Sequence, residues 1–218
     1  MAYDYKRLIN PERALIFRIL HRDNLTWALD NGLHCGNSSV LAPGWVSIGN
    51  PDLITKRSSH PVSIAPGGFL NDYVPFYFTP FSPMLRNIST GWGGVPRRPN
   101  EEIVILASSL LRVAADGLRW AFTDMHAYYR WATYYNDLGS LSKIDWPLLQ
   151  RRDFKRDPDD PAKFERYQAE ALVHRHMPLS SLTGIACYTA QMQQVIEQQV
   201  HSRGLNFPVK ALPSWYFS

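Results

Sequence analysis

Residues 166–173 read RYQAEALV and set one carboxylate, Glu170, between two alanines at the start of an apolar run. The apolar residues that follow it predict a strand over Glu170–His174. A carboxylate in such surroundings is either partly desolvated or paired with a cation. The simplest pairing is with Arg166, four residues earlier on the same helix face. The spacing alone leaves both a structural ion pair and a functional site open.

The segments around this run alternate between strands and short helices without βαβ regularity, which indicates the α+β class. Further strands are predicted at 16–21, 73–79, 103–107 and 184–188, with an edge strand at 209–217. Residues 34–70 and 86–100 are rich in Gly, Pro, Ser and Asn and have no sustained period. Long irregular segments inside a compact domain are often functional.

Helices are predicted from capping residues and from apolar spacing. Asp23 caps a short helix that ends at Gly32, and Thr189 caps a helix that ends at Gly204. Thr123 or Asp124 caps a helix to about residue 136, because aromatic and small residues recur at helical spacing in Tyr128, Trp131, Ala132 and Tyr135. Asp160 with Pro161 starts another helix in the charged segment 151–166.

Composition places the chain among ordinary globular proteins. Its 218 residues suit one domain, predicted to span residues 1–218, and the 45 % hydrophobic residues can supply a core. Two cysteines exclude a disulfide framework and suit a reducing compartment. The N-terminus lacks the long apolar region of a signal peptide, and the longest aliphatic run, residues 103–107, is too short for a membrane span. We expect a cytoplasmic monomer without membrane association.

Several common functional motifs are missing from the sequence. It contains no G-x-G-x-x-G, Walker A loop, G-x-S-x-G or H-E-x-x-H, which argues against Rossmann, P-loop, α/β-hydrolase and zincin sites. His174 and His176 alone make a poor metal site, and no third ligand is evident nearby. We therefore expect no metal.

Two other stretches carry groups that suit ligand binding. IFRILHRDNL at 16–25 places His21 at the end of an apolar strand, and its plain interpretation is a His–Asp interaction at a strand–helix junction. YVPFYFTPFSPM at 73–84 is either a core strand with a turn or a platform for a flat ring. Taken separately, each stretch favours the structural interpretation.

Taken together, four blocks resemble the DarT family of DNA ADP-ribosyltransferase toxins. They are IFRILHRDN at 16–24, DYVPFYFTPFSPML at 72–85, FTDMHA at 122–127 and RYQAEALV at 166–173. The similarity runs over nearly the full length and is nearest to the thymidine-modifying branch. It implies the ADP-ribosyltransferase fold, with a split antiparallel β-core, a cleft for NAD⁺ and peripheral helices.

The resemblance also implies roles for individual residues. Glu170 would stabilise the oxocarbenium-like state formed when the nicotinamide–ribose bond of NAD⁺ breaks. His21, with Asn24 and Tyr77, would bind the co-substrate. Arg57 would face the target base and contact NAD⁺, while Glu170 removes the N3 proton of thymine. A guanidinium at this place also suits a phosphate.

DNA contacts are expected around the mouth of the cleft. His126 is placed in the first turn of the helix predicted from residue 123 or 124, where helix N-termini favour phosphate. Met84, Arg86 and Arg166 are further candidates, and residues 139–166 correspond to the substrate-reading loop of this fold. The expected substrate is single-stranded DNA, because N3 is occupied in a base pair.

The resemblance also implies a protein partner, and alternative functions stay open. The resemblance implies an antitoxin of the DarG type, whose macrodomain removes ADP-ribose. The alternatives are a transferase that acts on guanine, RNA or protein, and a non-catalytic nucleic-acid-binding module that kept the fold. The net charge of +4 is compatible with an anionic partner without requiring one.

Overall fold

The central feature of the computed structural model, which describes residues 5–40 and 42–217, is one large sheet. The strands of the chain are β1 (Leu15–His21), β2 (Leu33–His34), β3 (Tyr73–Tyr77), β4 (Ile103–Ser109), β5 (Trp120–Thr123), β6 (Tyr134–Tyr135), β7 (Glu170–His174), β8 (His176–Met177), β9 (Gly184–Cys187) and β10 (Val209–Ala211). Eight of them form the large sheet in the order β10-β9-β4-β1-β3-β7-β5-β6, and β2 pairs with β8 separately. The predicted α+β class is confirmed.

The large sheet is split between β1 and β3. Strand β1 pairs with β4 along its whole length, from Leu15 opposite Ser109 to His21 opposite Ile103. It meets β3 in antiparallel register at a single pair, Phe17 with Tyr77. All strand pairs of this sheet are antiparallel except β9 with β10. The sheet therefore has the split antiparallel core that the resemblance predicts.

The helices lie around this sheet and are mostly short. They are α1 (Tyr5–Leu8), α2 (Leu25–Asn31), α3 (Pro51–Arg57), α4 (Pro83–Thr90), α5 (Leu110–Ala115), α6 (Trp146–Arg151), α7 (Lys163–Arg166) and α8 (Ala190–His201). Strand β4 is apolar and buried from Ile103 to Leu106, as expected for a strand covered on both faces. The Thr189 cap of α8 is confirmed, since its side chain accepts from the Met192 N–H.

The helix predicted to run to residue 136 is wrong. Strands β5 and β6 form a hairpin there, with Thr123 opposite Tyr134, and residues 124–133 are its loop. The Asp124 carboxylate accepts the Thr133 N–H at 3.0 Å and closes the loop. The spacing matched a helical period by coincidence, because three of the four residues lie in the loop and only Tyr135 lies in a strand. The pairing of β5 with β6 in the folded protein selects the hairpin over the helix.

Smaller corrections concern element ends. Asp23 does not cap α2, because it lies inside a 3₁₀ turn over Arg22–Asn24, and Asn24 precedes the helix. The segments predicted to be irregular contain α3 and the end of α4. The last strand is at the sheet edge but covers only Val209–Ala211, since Pro213 begins a 3₁₀ turn. Strand β3 likewise ends at Tyr77.

The predictions that the chain lacks a signal peptide and a membrane span concern its N-terminus and its helices. Part of the N-terminal segment considered for a signal peptide, residues 1–4, lies outside the described residues, as do residues 41 and 218. Within the described part of the chain, no helix is both long and apolar enough to cross a membrane.

Candidate active site

Glu170 occupies the first position of β7, at the centre of one half of the split sheet. It stands directly opposite Tyr77 of β3, so the two residues share one face at the split. Its side chain is 3 % exposed. Its backbone N–H donates to the Thr123 hydroxyl at 3.2 Å, which ties the start of β7 to the end of β5. The start of β7 thus places a buried carboxylate at the split of the sheet.

Arg57 is the cation that pairs with Glu170. Its Nη1 lies 3.0 Å from Oε2 and 3.2 Å from Oε1 of the carboxylate. The Ala127 N–H donates to Oε1 at 2.9 Å. The alternative pairing of Glu170 with Arg166 is wrong, because α7 ends at Arg166 and Glu170 begins a strand. Both charges are buried, so their mutual attraction offsets a large loss of hydration.

One polar atom of this pair is left without a partner. Arg57 Nη2 is buried and makes no hydrogen bond to any of the residues that the structure describes. Buried guanidinium nitrogens are almost always satisfied, and an exception next to a buried carboxylate points to a position where a ligand binds. The chemistry of that ligand follows from the donor: an oxygen, neutral or anionic, would complete the guanidinium.

Helix α3 places Arg57 at its C-terminal end. The helix begins at Pro51, and the Asn50 side chain caps it by accepting the Leu53 N–H at 3.0 Å. The same side chain donates to the Gly93 carbonyl at 2.9 Å. This arrangement fixes the start of the helix against the turn that follows α4, and the last helical residue then reaches Glu170.

His126 lies beside Glu170 rather than at a helix N-terminus. Its Nδ1 accepts the Tyr128 N–H at 3.2 Å and stands 3.9 Å from Glu170 Oε1. Burial lowers the pKa of His126; nearby Glu170 acts against this shift and Arg57 adds to it. A nitrogen that accepts a backbone N–H carries no proton, so this histidine is neutral. The helix-dipole argument for phosphate binding is therefore wrong, and DNA contact by His126 stays a prediction.

Tyr77 and Met84 meet at the same opening. The Tyr77 hydroxyl lies 4.0 Å from the Met84 sulfur. Burial, followed by the charge of Glu170, raises the pKa of Tyr77, which keeps its hydroxyl protonated. Arg86 is exposed on α4, two residues beyond Met84. The structure thus brings together Tyr77, predicted to bind NAD⁺, and Met84, predicted to contact DNA, whereas the contact of Arg86 with DNA stays a prediction.

Two basic residues near Arg57 were not identified from the sequence. Arg18 of β1 donates through Nη1 to the Pro75 carbonyl at 2.9 Å, and burial together with Arg57 lowers its pKa to about 10. Burial and Arg57 likewise lower the pKa of His60. An arginine inside the apolar strand run IFRILH was the available signal for Arg18, because charged residues are rarely buried without a partner.

His21 and Asn24 form a second group, separate from Glu170. His21 lies four residues beyond Phe17 on β1, about 13 Å along the strand. Its Nδ1 accepts the Asp23 N–H at 3.3 Å, and Nε2 lies 3.3 Å from Glu102 Oε2. The Asn24 amide both donates to and accepts from the Val46 backbone at 2.8 Å. Contacts of His21 and Asn24 with NAD⁺ stay predictions.

Arg166 is held by acidic residues of the predicted substrate-reading segment 139–166. Its guanidinium contacts both oxygens of Asp160, at 2.9 and 2.7 Å, and Asp145 at 3.2 Å. The hydrogen bonds to Asp160 are the main cause of a raised Arg166 pKa. Lys163 pairs with Asp153 at 2.6 Å in the same segment. Arg166 therefore stabilises the segment, and its contact with DNA stays a prediction.

The histidines considered for metal binding lie in different sheets. His174 ends β7, whereas His176 of β8 stacks on His34 with 4.4 Å between ring centroids. Across residues 5–40 and 42–217, no group of three or more His, Cys, Asp or Glu side chains is arranged to hold a metal ion.

Comparison with known proteins gives consistent matches. The family model described as "ssDNA thymidine ADP-ribosyltransferase, DarT" matches residues 17–217. A DNA ADP-ribosyl transferase of Escherichia coli O127:H6 is 62 % identical over 218 residues, which is 100 % of both chains. One of Thermus sp. (strain 2.9) is 36 % identical over 191 residues, or 85 % of this chain and 87 % of the relative.

Solved structures match at the level of the whole fold. Thermus sp. 2.9 DarT in complex with ADP-ribosylated ssDNA superposes with a TM-score of 0.87 at 31 % identity, covering 95 % of this chain and 98 % of that one. The same protein in complex with NAD⁺ gives a TM-score of 0.83 at 31 % identity, covering 95 % and 99 %.

Proposed function

The chain belongs to the DarT family, and we propose that it transfers ADP-ribose from NAD⁺ to N3 of thymidine in single-stranded DNA. It is a DNA ADP-ribosyltransferase, and NAD⁺ is its co-substrate. The observation that carries the proposal for the site is the buried Glu170–Arg57 pair at the split of the sheet, with Arg57 Nη2 unsatisfied among the described residues.

The residues around the split fit a bound dinucleotide. Arg57 Nη2 offers a buried donor for an oxygen of the ligand. Tyr77 keeps a protonated hydroxyl beside Glu170, and Arg18 adds positive charge next to Arg57. A pyrophosphate is anionic, so this local excess of cations over carboxylates favours it. His21, further along β1, lies at a distance that an extended dinucleotide spans.

In this proposal Glu170 stabilises positive charge at the reacting ribose. NAD⁺ supplies the ADP-ribose, with nicotinamide as the leaving group. The Ala127 N–H and the Arg57 guanidinium hold the carboxylate in one orientation before any substrate binds. A charge fixed in advance stabilises a developing opposite charge without reorganisation during the reaction. Among the described residues only Arg57 contacts Oε2, so this oxygen has room to accept a ribose hydroxyl.

The same pair is suited to the thymine ring. Attack through N3 requires removal of its proton, and Glu170 is the carboxylate proposed to accept it. The ring then carries negative charge on its carbonyl oxygens, and the unsatisfied Nη2 of Arg57 is the donor proposed to stabilise it. His126 is neutral and lies beside Glu170, so it adds no charge that competes for the carboxylate.

We propose that this activity makes the protein the toxin of a toxin–antitoxin pair that acts in the cytoplasm. Base pairing covers N3 of thymine, so single strands are the accessible substrate. The expected partner is an antitoxin of the DarG type, with a macrodomain that removes ADP-ribose.

The test uses labelled NAD⁺ with matched acceptors. We expect label on an oligonucleotide that contains thymidine, and none when the same thymidine carries an N3-methyl group. Deoxyuridine at that position keeps the N3 proton and serves as the control for the ring itself. Label on the N3-methylated oligonucleotide, or on cell protein or RNA alone, would contradict the proposal and favour the corresponding alternative.

A non-catalytic nucleic-acid-binding module would give a different result with the same reagents. It would bind the oligonucleotide but release no nicotinamide. Comparison of Glu170→Gln with the unmodified protein completes the test, because equal product from both would remove Glu170 from the mechanism. Glu197→Gln, on helix α8, is the matched control for loss of one carboxylate.

A further inference from the structure

The loop between β5 and β6, residues 124–133, lies against the catalytic carboxylate. Its Ala127 N–H donates to Glu170 at 2.9 Å. The Tyr134 hydroxyl donates to the Ala127 carbonyl at 2.6 Å, so the strand after the loop fixes the residue that contacts Glu170. Any group held at the tip of this loop is therefore held in a defined position relative to the active site.

Hydrogen bonds within the β5–β6 loop hold its shape. Asp124 accepts the Thr133 N–H, the Tyr129 N–H donates to the His126 carbonyl at 2.8 Å, and the Ala132 N–H donates to the Tyr129 carbonyl at 3.0 Å. In the middle of the loop, Tyr128 packs against His60, with ring centroids 5.0 Å apart. A loop tied at both ends loses little conformational freedom when a ligand binds.

The tip of this loop carries an exposed tryptophan, a half-buried tyrosine and one exposed cation. Trp131 is 66 % exposed, and its ring lies 5.1 Å from that of Tyr129 at an interplanar angle of 57°. Arg130 between them is exposed and forms no ion pair or hydrogen bond with any residue in the described ranges. A large exposed aromatic beside an unpaired guanidinium suits a flat ring that carries a phosphate.

We propose that Trp131, supported by Tyr129, stacks on a nucleobase that neighbours the target thymine in the single strand, and that Arg130 contacts the adjoining phosphate. This inference rests on the proposed function. Trp131 is four residues from Ala127, so its Cα lies within about 14 Å of the residue that contacts Glu170. That distance places the stacked base within a few nucleotides of the reacting one.

The small size of this surface argues for a base rather than a protein. Two aromatic side chains supply at most a few hundred Å², whereas a stable protein interface needs about 1,000 Å² or more. One base covers one indole ring and needs no surrounding groove. Stacking is also tolerant of base identity, so it would position the strand without reading its sequence.

The experiment combines protein variants with oligonucleotides that lack one base. We expect Trp131→Ala to weaken binding of a thymidine-containing single strand about 5- to 150-fold, and Trp131→Phe to retain most of the affinity. An abasic site at one position near the target should weaken binding to the wild-type protein by a similar factor. The same abasic site should have little further effect on Trp131→Ala. Trp92→Ala removes a tryptophan that is 72 % exposed on another loop, and should leave this coupling unchanged.

The outcomes separate this inference from the proposed function. If the unmodified protein labels no oligonucleotide, the proposed function fails. If it labels the oligonucleotide and Trp131→Ala binds equally well, or if the two losses simply add at every position, stacking by Trp131 is refuted while the proposed function stands. An unchanged melting temperature of Trp131→Ala checks that the loss of binding is not loss of fold.

Discussion

At the scale of single residues, Glu170 and Arg57 depend on each other because both charges are buried. Removal of one partner leaves the other charge in a poorly solvated place. We expect Arg57→Met to lower the free energy of unfolding by about 3–5 kcal/mol. The double variant Arg57→Met with Glu170→Met replaces both charges by apolar groups and should regain most of that loss without regaining activity. Urea unfolding of Arg57→Met, Glu170→Met and the double variant measures both effects.

The double variant is the informative one. If the pair served stability alone, the protein would be less stable in each single variant. The unsatisfied Nη2 of Arg57 would then have no explanation. Recovery of stability together with lost transfer activity would show that the ion pair is retained for chemistry. A double variant as unstable as the sum of the two single ones would contradict the expected coupling.

Replacement of the carboxylate by an amide tests the chemistry at constant shape. Glu170→Gln keeps an oxygen that can accept from Ala127 and Arg57 but removes the negative charge. We expect the rate of DNA modification to fall about 100- to 1,000-fold, which is typical when a group that stabilises the transition state is removed. Mass spectrometry of the oligonucleotide product measures the rate. A loss of less than tenfold would assign the main role to another group.

The histidines near Arg57 predict a dependence of stability on pH. Burial, the leading cause, lowers the pKa of His126 and of His60 from the usual 6.5. Below pH 6.5 the unfolded chain then binds more protons than the folded one. The stability that these groups contribute is therefore complete above that pH and is lost as the pH falls towards their folded pKa.

The expected result is a lower urea midpoint at pH 5 than at pH 7. His126→Asn should reduce this difference without abolishing it, since the pKa values of His60 and His174 are also lowered. Carboxylates with lowered pKa values, such as Asp160, lose their contribution only at more acidic pH. An unchanged difference in the His126 variant would show that its titration is not linked to folding.

At the scale of elements, α3 is a short helix, and its N-terminal cap determines how well it positions Arg57 in the site. Asn50→Ala removes the capping bond to Leu53 and should lower stability by about 1 kcal/mol. Because Arg57 is the last residue of α3, we expect transfer activity to fall more than the stability change explains. Steady-state kinetics and thermal unfolding of the same variant give the two numbers.

A matched cap elsewhere provides the control for this prediction. The Ser109 hydroxyl caps α5 by accepting the Arg112 N–H at 3.0 Å. Ser109→Ala should cost a similar amount of stability while leaving activity unchanged. Asn50→Asp keeps the cap but loses the donor to Gly93, so it separates the two functions of this side chain. Equal losses of activity in Asn50→Ala and Ser109→Ala would show that the active site does not depend specifically on the position of α3.

Several elements were predictable from the sequence because local signals agreed with the tertiary structure. The apolar runs of β1, β4 and β7 and the Thr189 cap of α8 gave strands and a helix in the predicted places. Helices α3 and α4 were missed although each begins with a capping residue followed by proline, Asn50–Pro51 and Ser82–Pro83. Their shortness kept any apolar period from standing out.

The site itself was only partly predictable. RYQAEALV located Glu170, and the resemblance to the family located Arg57, but nothing in the local sequence brings residues 113 positions apart together. The hairpin of β5 and β6 could not be distinguished from a helix by aromatic spacing. Its Ala127 N–H, which contacts Glu170, therefore had no signal at all, since a backbone donor is not specified by its side chain.

At the scale of the whole molecule, the 23 lysine and arginine residues overstate the number of cations available to DNA. Many basic side chains are already paired within the chain, including Arg166, Lys163, Arg112 and Arg203. Exposed side chains such as Arg86 and Arg130 remain for phosphate contacts. Binding of single strands should therefore release few counterions, and affinity should depend on salt only moderately.

This charge distribution gives a quantitative expectation. If about three phosphates are neutralised, the logarithm of the association constant falls with the logarithm of salt with a slope of about −2, or roughly 20-fold between 50 and 200 mM salt. Arg130→Gln should reduce the slope by about 0.7, because one fewer phosphate is neutralised. Fluorescence anisotropy with a labelled oligonucleotide measures both slopes. A binding constant independent of salt would exclude phosphate contacts as a source of affinity, and an unchanged slope in the Arg130 variant would remove that residue from the interface.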